Sequence, residues 1–161
     1  MAISPTVNDL HVLFRVGEGE YALPAAEVLV MESYAGATRV PGVEPWVVGI
    51  VQIRGEVVPV VDLRRRFGLD GAELDGDRRV LVVRQGERSV GLLVDRAREV
   101  LSIGPDHLRE PPEAVAQGTE RMIRSVATVG DRLLMLIDTA RVIGAVERRD
   151  AGEMGRGVDG D

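Results

Sequence analysis

The stretch Trp46-Val47-Val48-Gly49-Ile50-Val51-Gln52-Ile53-Arg54-Gly55-Glu56-Val57-Val58-Pro59-Val60-Val61 is a run of β-branched residues interrupted only around Arg54-Gly55-Glu56. β-Branched side chains crowd a helix and fit a pleated sheet, so the run predicts two strands joined by a tight turn at Gly55. Pro59 has no amide hydrogen for a ladder, which places the second strand at a sheet edge or a bulge. Two further pairs repeat the pattern. Residues 80–83 and 90–94 flank Gln85-Gly86-Glu87, and residues 125–129 and 133–137 flank Gly130-Asp131, a favoured two-residue hairpin loop. Shorter runs at 12–16, 20–23, 38–40 and 100–103 bring the total to about ten strands with frequent turn signals, the mark of an all-β barrel or sandwich.

Helices are expected to be few. Pro24 can open one at its first position, with Val28 and Met31 three apart on one face. Asp62 can cap a turn through Phe67 that Gly68 ends, and Asp138 can cap a last helix over 139–148 with Val142 and Val146 on its apolar side. The two segments echo each other: Val61-Asp62-Leu63-Arg64-Arg65-Arg66-Phe67-Gly68 aligns without a gap against Ile137-Asp138-Thr139-Ala140-Arg141-Val142-Ile143-Gly144. A polar, Gly-rich break over 70–77 lies between two apolar halves of similar size, where a domain boundary belongs. The tail from Asp150 is rich in Gly and charge and is expected to be disordered.

Composition narrows the chemistry. The 161 residues hold 26 acidic and 20 basic side chains, a formal net charge of −6; every basic one is arginine, and there is no cysteine. Disulfides, a thiolate nucleophile, a Schiff-base lysine and a Cys/His zinc site are excluded. A pI near 5.0 argues against a nucleic-acid binder. No apolar run reaches the roughly 18 residues of a membrane span, and 1–10 lacks a signal-peptide layout, so a cytoplasmic protein is expected.

Gly17-Glu18-Gly19-Glu20-Tyr21-Ala22 superficially matches a dinucleotide fingerprint. That site needs a helix to start on the glycines, whereas Tyr21-Ala22-Leu23-Pro24 reads as extended, so a hairpin turn is the simpler reading. The acidic run over 70–77 lacks the ligand spacing of a calcium loop. His11 and His107 stand far apart, with no Ser or carboxylate pattern for a triad. With no plausible catalytic set, a binding module is favoured over an enzyme. Val28-Leu29-Val30-Met31 puts four apolar residues in a row on the expected short helix; one face cannot bury all four.

These residues carry a family resemblance. Gly49-Ile50-Val51-Gln52-Ile53-Arg54-Gly55-Glu56-Val57-Val58-Pro59-Val60-Val61-Asp62-Leu63 resembles the signature of the chemotaxis coupling family CheW. Val90-Gly91-Leu92-Leu93-Val94-Asp95 followed by Val100-Leu101 resembles its second stretch, and Gly130-Asp131-Arg132-Leu133-Leu134-Met135-Leu136-Ile137-Asp138 its third. Order and spacing agree from about Val12 to Val146. The resemblance implies two five-stranded SH3-like barrels packed together, which here would cover 10–70 and 78–148, the second with the C-terminal helix, ahead of a tail over 150–161.

It further implies a non-catalytic scaffold without cofactor that couples chemoreceptors to the regulatory domain of the histidine kinase CheA, in the cytoplasm at receptor arrays, with no nucleic acid and no membrane insertion. The receptor's helical hairpin tip would dock in a groove between the barrels that includes Val12, Val28, Met31, Arg54, Ala97 and Val100. The kinase would meet the second barrel around Gly91 and Leu92, with a second contact at Arg109 and Ala114. Three positions depart from the family pattern. Val30 stands where a glutamate is common, Gln52 replaces an asparagine, and Ala114 stands where an aromatic would serve the second kinase contact. Ala114 and Val30 also motivate an alternative, an adaptor that binds receptor but not kinase and insulates or diverts a pathway. A small-ligand barrel or enzyme would need convergent polar groups inside the strands, and few are present.

Overall fold

The computed structural model of the chain describes residues 9–71, 75–116 and 121–144. Eleven strands are formed there: β1 (Leu10–Val16), β2 (Gly19–Pro24), β3 (Val28–Ser33), β4 (Val47–Ile53), β5 (Glu56–Asp62), β6 (Arg79–Gln85), β7 (Arg88–Val94), β8 (Arg96–Ser102), β9 (Leu108–Arg109), β10 (Ile123–Val129) and β11 (Arg132–Ile137). Three short helices accompany them: α1 (Leu63–Arg66), α2 (Glu113–Ala116) and α3 over 139–144. The all-β reading and the three hairpins stand. The expected tail over 150–161 and Val146 lie outside the described residues.

One expected helix is a strand. After Pro24 the chain makes a single 3-10 turn, Ala25–Glu27, and then extends as β3, whose residues alternate between half-buried and exposed. Four apolar residues in a row fit this arrangement because successive strand side chains point to opposite faces. The run at 38–40 shrinks to one bridge, Thr38 opposite Ile50. There the two amides and two carbonyls exchange bonds of 2.9 and 2.8 Å. Gly49 permits this approach: its φ is +144°, and a Cβ there would overlap the Thr38 carbonyl.

The strands form a six-stranded sheet in the order β8-β1-β2-β11-β10-β9 and a five-stranded sheet in the order β3-β6-β7-β5-β4. Apart from the two-residue β9, the orders are equivalent. Each sheet has an edge strand, an antiparallel hairpin (β1–β2 or β6–β7), and a strand parallel to that hairpin (β11 or β5) with its own hairpin partner (β10 or β4). This corrects the division into barrels at 10–70 and 78–148. The halves are repeats, but they exchange hairpins: β1–β2 of the first half completes the sheet of β8, β10 and β11, and β6–β7 of the second completes that of β3, β4 and β5. Pairings between strands so far apart in the chain leave no local signal.

Pro59 also sits differently. β5 lies inside its sheet, between β7 and β4, but its pairing with β7 begins only at Val60, so the missing amide costs no ladder bond on that side. The β4–β5 turn places both Arg54 (φ +52°) and Gly55 (φ +82°) in the left-handed region, the geometry of a type I′ hairpin. Both expected caps form: Asp62 Oδ1 accepts from the Arg64 amide at 3.0 Å and Asp138 Oδ1 from the Arg141 amide at 3.2 Å.

Leu13, Ala22, Ala127, Leu134 and Leu136 fill the six-stranded sheet, and Val58, Val60, Val80, Val82 and Leu93 fill the five-stranded one. A third cluster binds the two together. It joins Phe14, Val16 and Leu23 of the first sheet to Val61, Leu81, Val83, Leu92 and Val94 of the second, with Val142 and Ile143 of α3. Arg66, itself buried, adds polar ties: its Nε donates to the Val142 carbonyl at 2.8 Å, and its guanidinium lies 4.6 Å over the Trp46 ring.

Candidate docking surface

Among the described residues, β3 is an edge strand paired with β6 alone. A register shift between Val28 and Val30 turns the strand over, so that Val28 packs on the core between the sheets and Val30 on that of the five-stranded sheet. Leu29 and Met31 are each 46% exposed, and Met31, paired with Leu81, lies on the face of Val28. The strand therefore carries a short exposed apolar strip, about 6.6 Å from Leu29 to Met31 at about 3.3 Å per residue.

At one end of the strip, Val12 and Val100 stand opposite each other across β1 and β8, with Val100 58% exposed and Val12 packed on the core between the sheets. At the other end, Glu32 Oε1 lies 3.8 Å from Arg54 Nε at the β4–β5 tip. Both side chains are open to solvent. Glu32 shares a strand face with Val30, two residues further along. Arg54, Glu32, Tyr34, Thr38, Gln52 and Val57 line a cleft of about 690 Å³ at the mouth of the five-stranded sheet. Burial raises the Tyr34 hydroxyl above its ordinary pKa.

The expected receptor positions thus divide. Val12, Val28 and Val100 lie at the seam between the sheets together with Met31, which pairs with Leu81 on that face, whereas Arg54 lines the neighbouring cleft. Ala97, opposite Phe14 and 3% exposed, is interior and presents no surface. Glu32 and Val57 line the cleft and Leu29 is exposed on β3; for Leu29 and Glu32 the sequence signal was the segment 28–33, visible once it is read as a strand.

Two expected kinase positions are also interior. Leu92 is fully buried in the core between the sheets. Gly91 is hemmed in by its paired strands, and a Cβ there would lie 2.6 Å from Val80 Cγ1. Both positions serve packing and give no side chain to a partner. Arg109 and Ala114 fare differently. They are exposed on β9 and α2, at the edge of the six-stranded sheet opposite β8, and Arg109 Nη1 donates to the Asp106 carbonyl at 3.1 Å.

Electrostatics close the six-stranded sheet at its hairpin end. Arg132 donates to Glu20 at 2.7 Å and to Glu99 at 2.9 Å, tying β11 to β2 and β8. These hydrogen bonds hold both carboxyls below the usual carboxylate range and raise the guanidinium further. His11 is buried, with Nδ1 2.7 Å from the Asp9 carbonyl, a local bond rather than part of a reactive set. Among the described residues, no three His, Cys, Asp or Glu side chains are grouped to hold a metal ion, and no helix is long and apolar enough to cross a membrane.

Known proteins share this architecture. A family model described as CheW-like domain matches residues 10–147. The chemotaxis protein CheW of Bacillus subtilis is 34% identical over 132 residues, covering 82% of this chain and 85% of that protein. CheW of Klebsiella aerogenes is 32% identical over 143 residues, covering 88% and 86%. The crystal structure of the scaffolding protein TtCheW from Thermoanaerobacter tengcongensis superposes with a TM-score of 0.75 at 27% identity, over 84% of this chain and 90% of that one. With the paired sheets, the signature hairpin and these matches in hand, the chain belongs to the CheW-like family.

Proposed function

We propose that this chain is a non-catalytic chemosensory scaffold that couples the cytoplasmic tip of a chemoreceptor to the regulatory domain of a CheA-type histidine kinase at receptor arrays. The observation that supports the receptor side is the set of exposed side chains on and around the edge strand: Val100 at the seam, Leu29 and Met31 on β3, and Arg54 at the neighbouring hairpin tip. Apolar area contributes about 25 cal/mol per Å² removed from water, offset by the cost of ordering the partners. The exposed Arg54–Glu32 pair is worth at most about 1 kcal/mol, so Arg54 can exchange Glu32 for a receptor carboxylate or carbonyl at little loss. The kinase would engage the far edge of the six-stranded sheet at Arg109 and Ala114.

The test is a pull-down on a receptor tip with circular dichroism as the control for folding. Arg54→Ala and Met31→Asp alter exposed side chains, and each should weaken binding with the spectrum unchanged. Val28→Asp is the poorer probe, since Val28 packs on the core between the sheets and its loss unsettles the fold as well. Undiminished binding by both exposed variants would remove the receptor assignment.

A further inference from the structure

The hairpin exchange leaves two points where the chain crosses between the sheets: Ala25–Glu27 from β2 to β3, and Asp95 from β7 to β8. Together they define an axis about which one sheet could turn against the other. The apolar core between them opposes separation, but apolar contact is non-directional and sets an angle poorly. Directional bonds set it better.

Both crossings carry such bonds. At the first, the buried Thr139 hydroxyl donates to Glu27 Oε1 at 2.7 Å. At the second, a single carboxylate oxygen holds both sides. Asp95 Oδ2 accepts from the Gly17 amide, in the β1–β2 turn of the six-stranded sheet, at 2.7 Å, and from Arg64 Nη1, on the helix that follows the five-stranded sheet's β5, also at 2.7 Å. Oδ1 faces Arg78 Nε at 4.0 Å. Arg64 is itself fixed, its Nε donating to the Asp70 carbonyl at 2.8 Å, and the Asp95 amide donates to the Arg15 carbonyl at 2.9 Å.

We infer that Asp95 is a positioning residue that locks the two sheets into one stiff spacer, and that this stiffness, rather than the docking of either partner, is what lets the receptor control the kinase. The inference rests on the scaffold reading above. The proposed receptor strip lies on β3 and at the seam, and the proposed kinase contact lies on the far edge of the six-stranded sheet. A displacement imposed on the β3 part of the strip must cross the seam to reach the kinase contact. Five residue steps of extended chain separate Asp95 from Val100, about 16 Å at strand rise, so a turn of about 5° at Asp95 shifts Val100 by roughly 1.4 Å. None of the proposed contact residues belongs to the clasp.

The experiment uses the absence of native cysteine. Spin labels at Thr128→Cys and Glu56→Cys, exposed on the six- and five-stranded sheets, report the distance between sheets without a partner. Asp95→Asn keeps the size and an acceptor for Gly17 but removes the charge that grips Arg64. It should broaden the distance distribution, leave binding to the receptor tip and to the kinase regulatory domain each within about twofold, and lower receptor control of the kinase by about fivefold or more. Arg64→Gln spares the Asp95–Gly17 bond and should act in the same direction, which guards against a folding failure of the first variant. Distributions as narrow as that of the unsubstituted chain, or broad ones with control intact, would overturn the proposal. A parent chain that binds neither partner would overturn the scaffold reading instead, while the label distances still decide whether Asp95 fixes the sheets.

Discussion

Val12, in the first hairpin, stands directly opposite Val100, in the edge strand contributed by the second half of the chain. That pairing is one product of the hairpin exchange, by which neither half of the chain owns a complete sheet. A chain broken between Gly71 and Asp75 should therefore yield two fragments that are unfolded apart and recover native circular dichroism when mixed or co-expressed. Two barrels each confined to one half would predict the opposite, independent folding of each fragment.

Leu92 and Val57 separate core from surface. Leu92→Ala opens a cavity in the cluster that joins the sheets and should cost about 2–5 kcal/mol. Val57, 65% exposed, should tolerate Val57→Ala within about 0.5 kcal/mol. Urea midpoints measure both, and a mild effect at Leu92 would contradict its placement.

Gly49→Ala should be more damaging than Gly55→Ala in the signature hairpin. It combines an unfavourable φ with overlap on the Thr38 carbonyl, so a loss of roughly 3 kcal/mol is expected from strain and overpacking together. Gly55→Ala faces open space, and its cost should come from φ alone. Thermal melts of the two should differ clearly, with Gly49→Ala the lower.

Arg132 predicts an acid dependence. Its hydrogen bonds depress Glu20 and Glu99 from the ordinary 4.5, so the stability they contribute is complete above that value and is lost as pH falls through their lowered values in the folded chain. The parent should exceed Arg132→Gln by at most about 1 kcal/mol near neutrality, because solvent screens these half-exposed groups, and the difference should shrink in acid. A gap that widens as pH falls would contradict this sign.

What was legible in the sequence was local. The hairpins at Gly55, Gly86 and Gly130 and the caps at Asp62 and Asp138 depend on neighbouring residues, and each formed where expected. The segment 28–33 misled because Pro24 suits a helix start equally well, and four apolar residues in a row conceal a period of two until the buried face is known. The exchange of β1–β2 for β6–β7 depends on partners distant in the chain, which only assembly supplies. The same reason hid the interior positions of Gly91, Leu92 and Ala97, whose neighbours come from other strands.

The most direct test of coupling is whether this chain holds both partners at once. Sedimentation of the purified chain with a receptor tip and a CheA regulatory domain should give one boundary containing all three, since the proposed surfaces on β3 and on β9 with α2 do not overlap. Two mutually exclusive binary complexes, with one partner displacing the other, would contradict the scaffold.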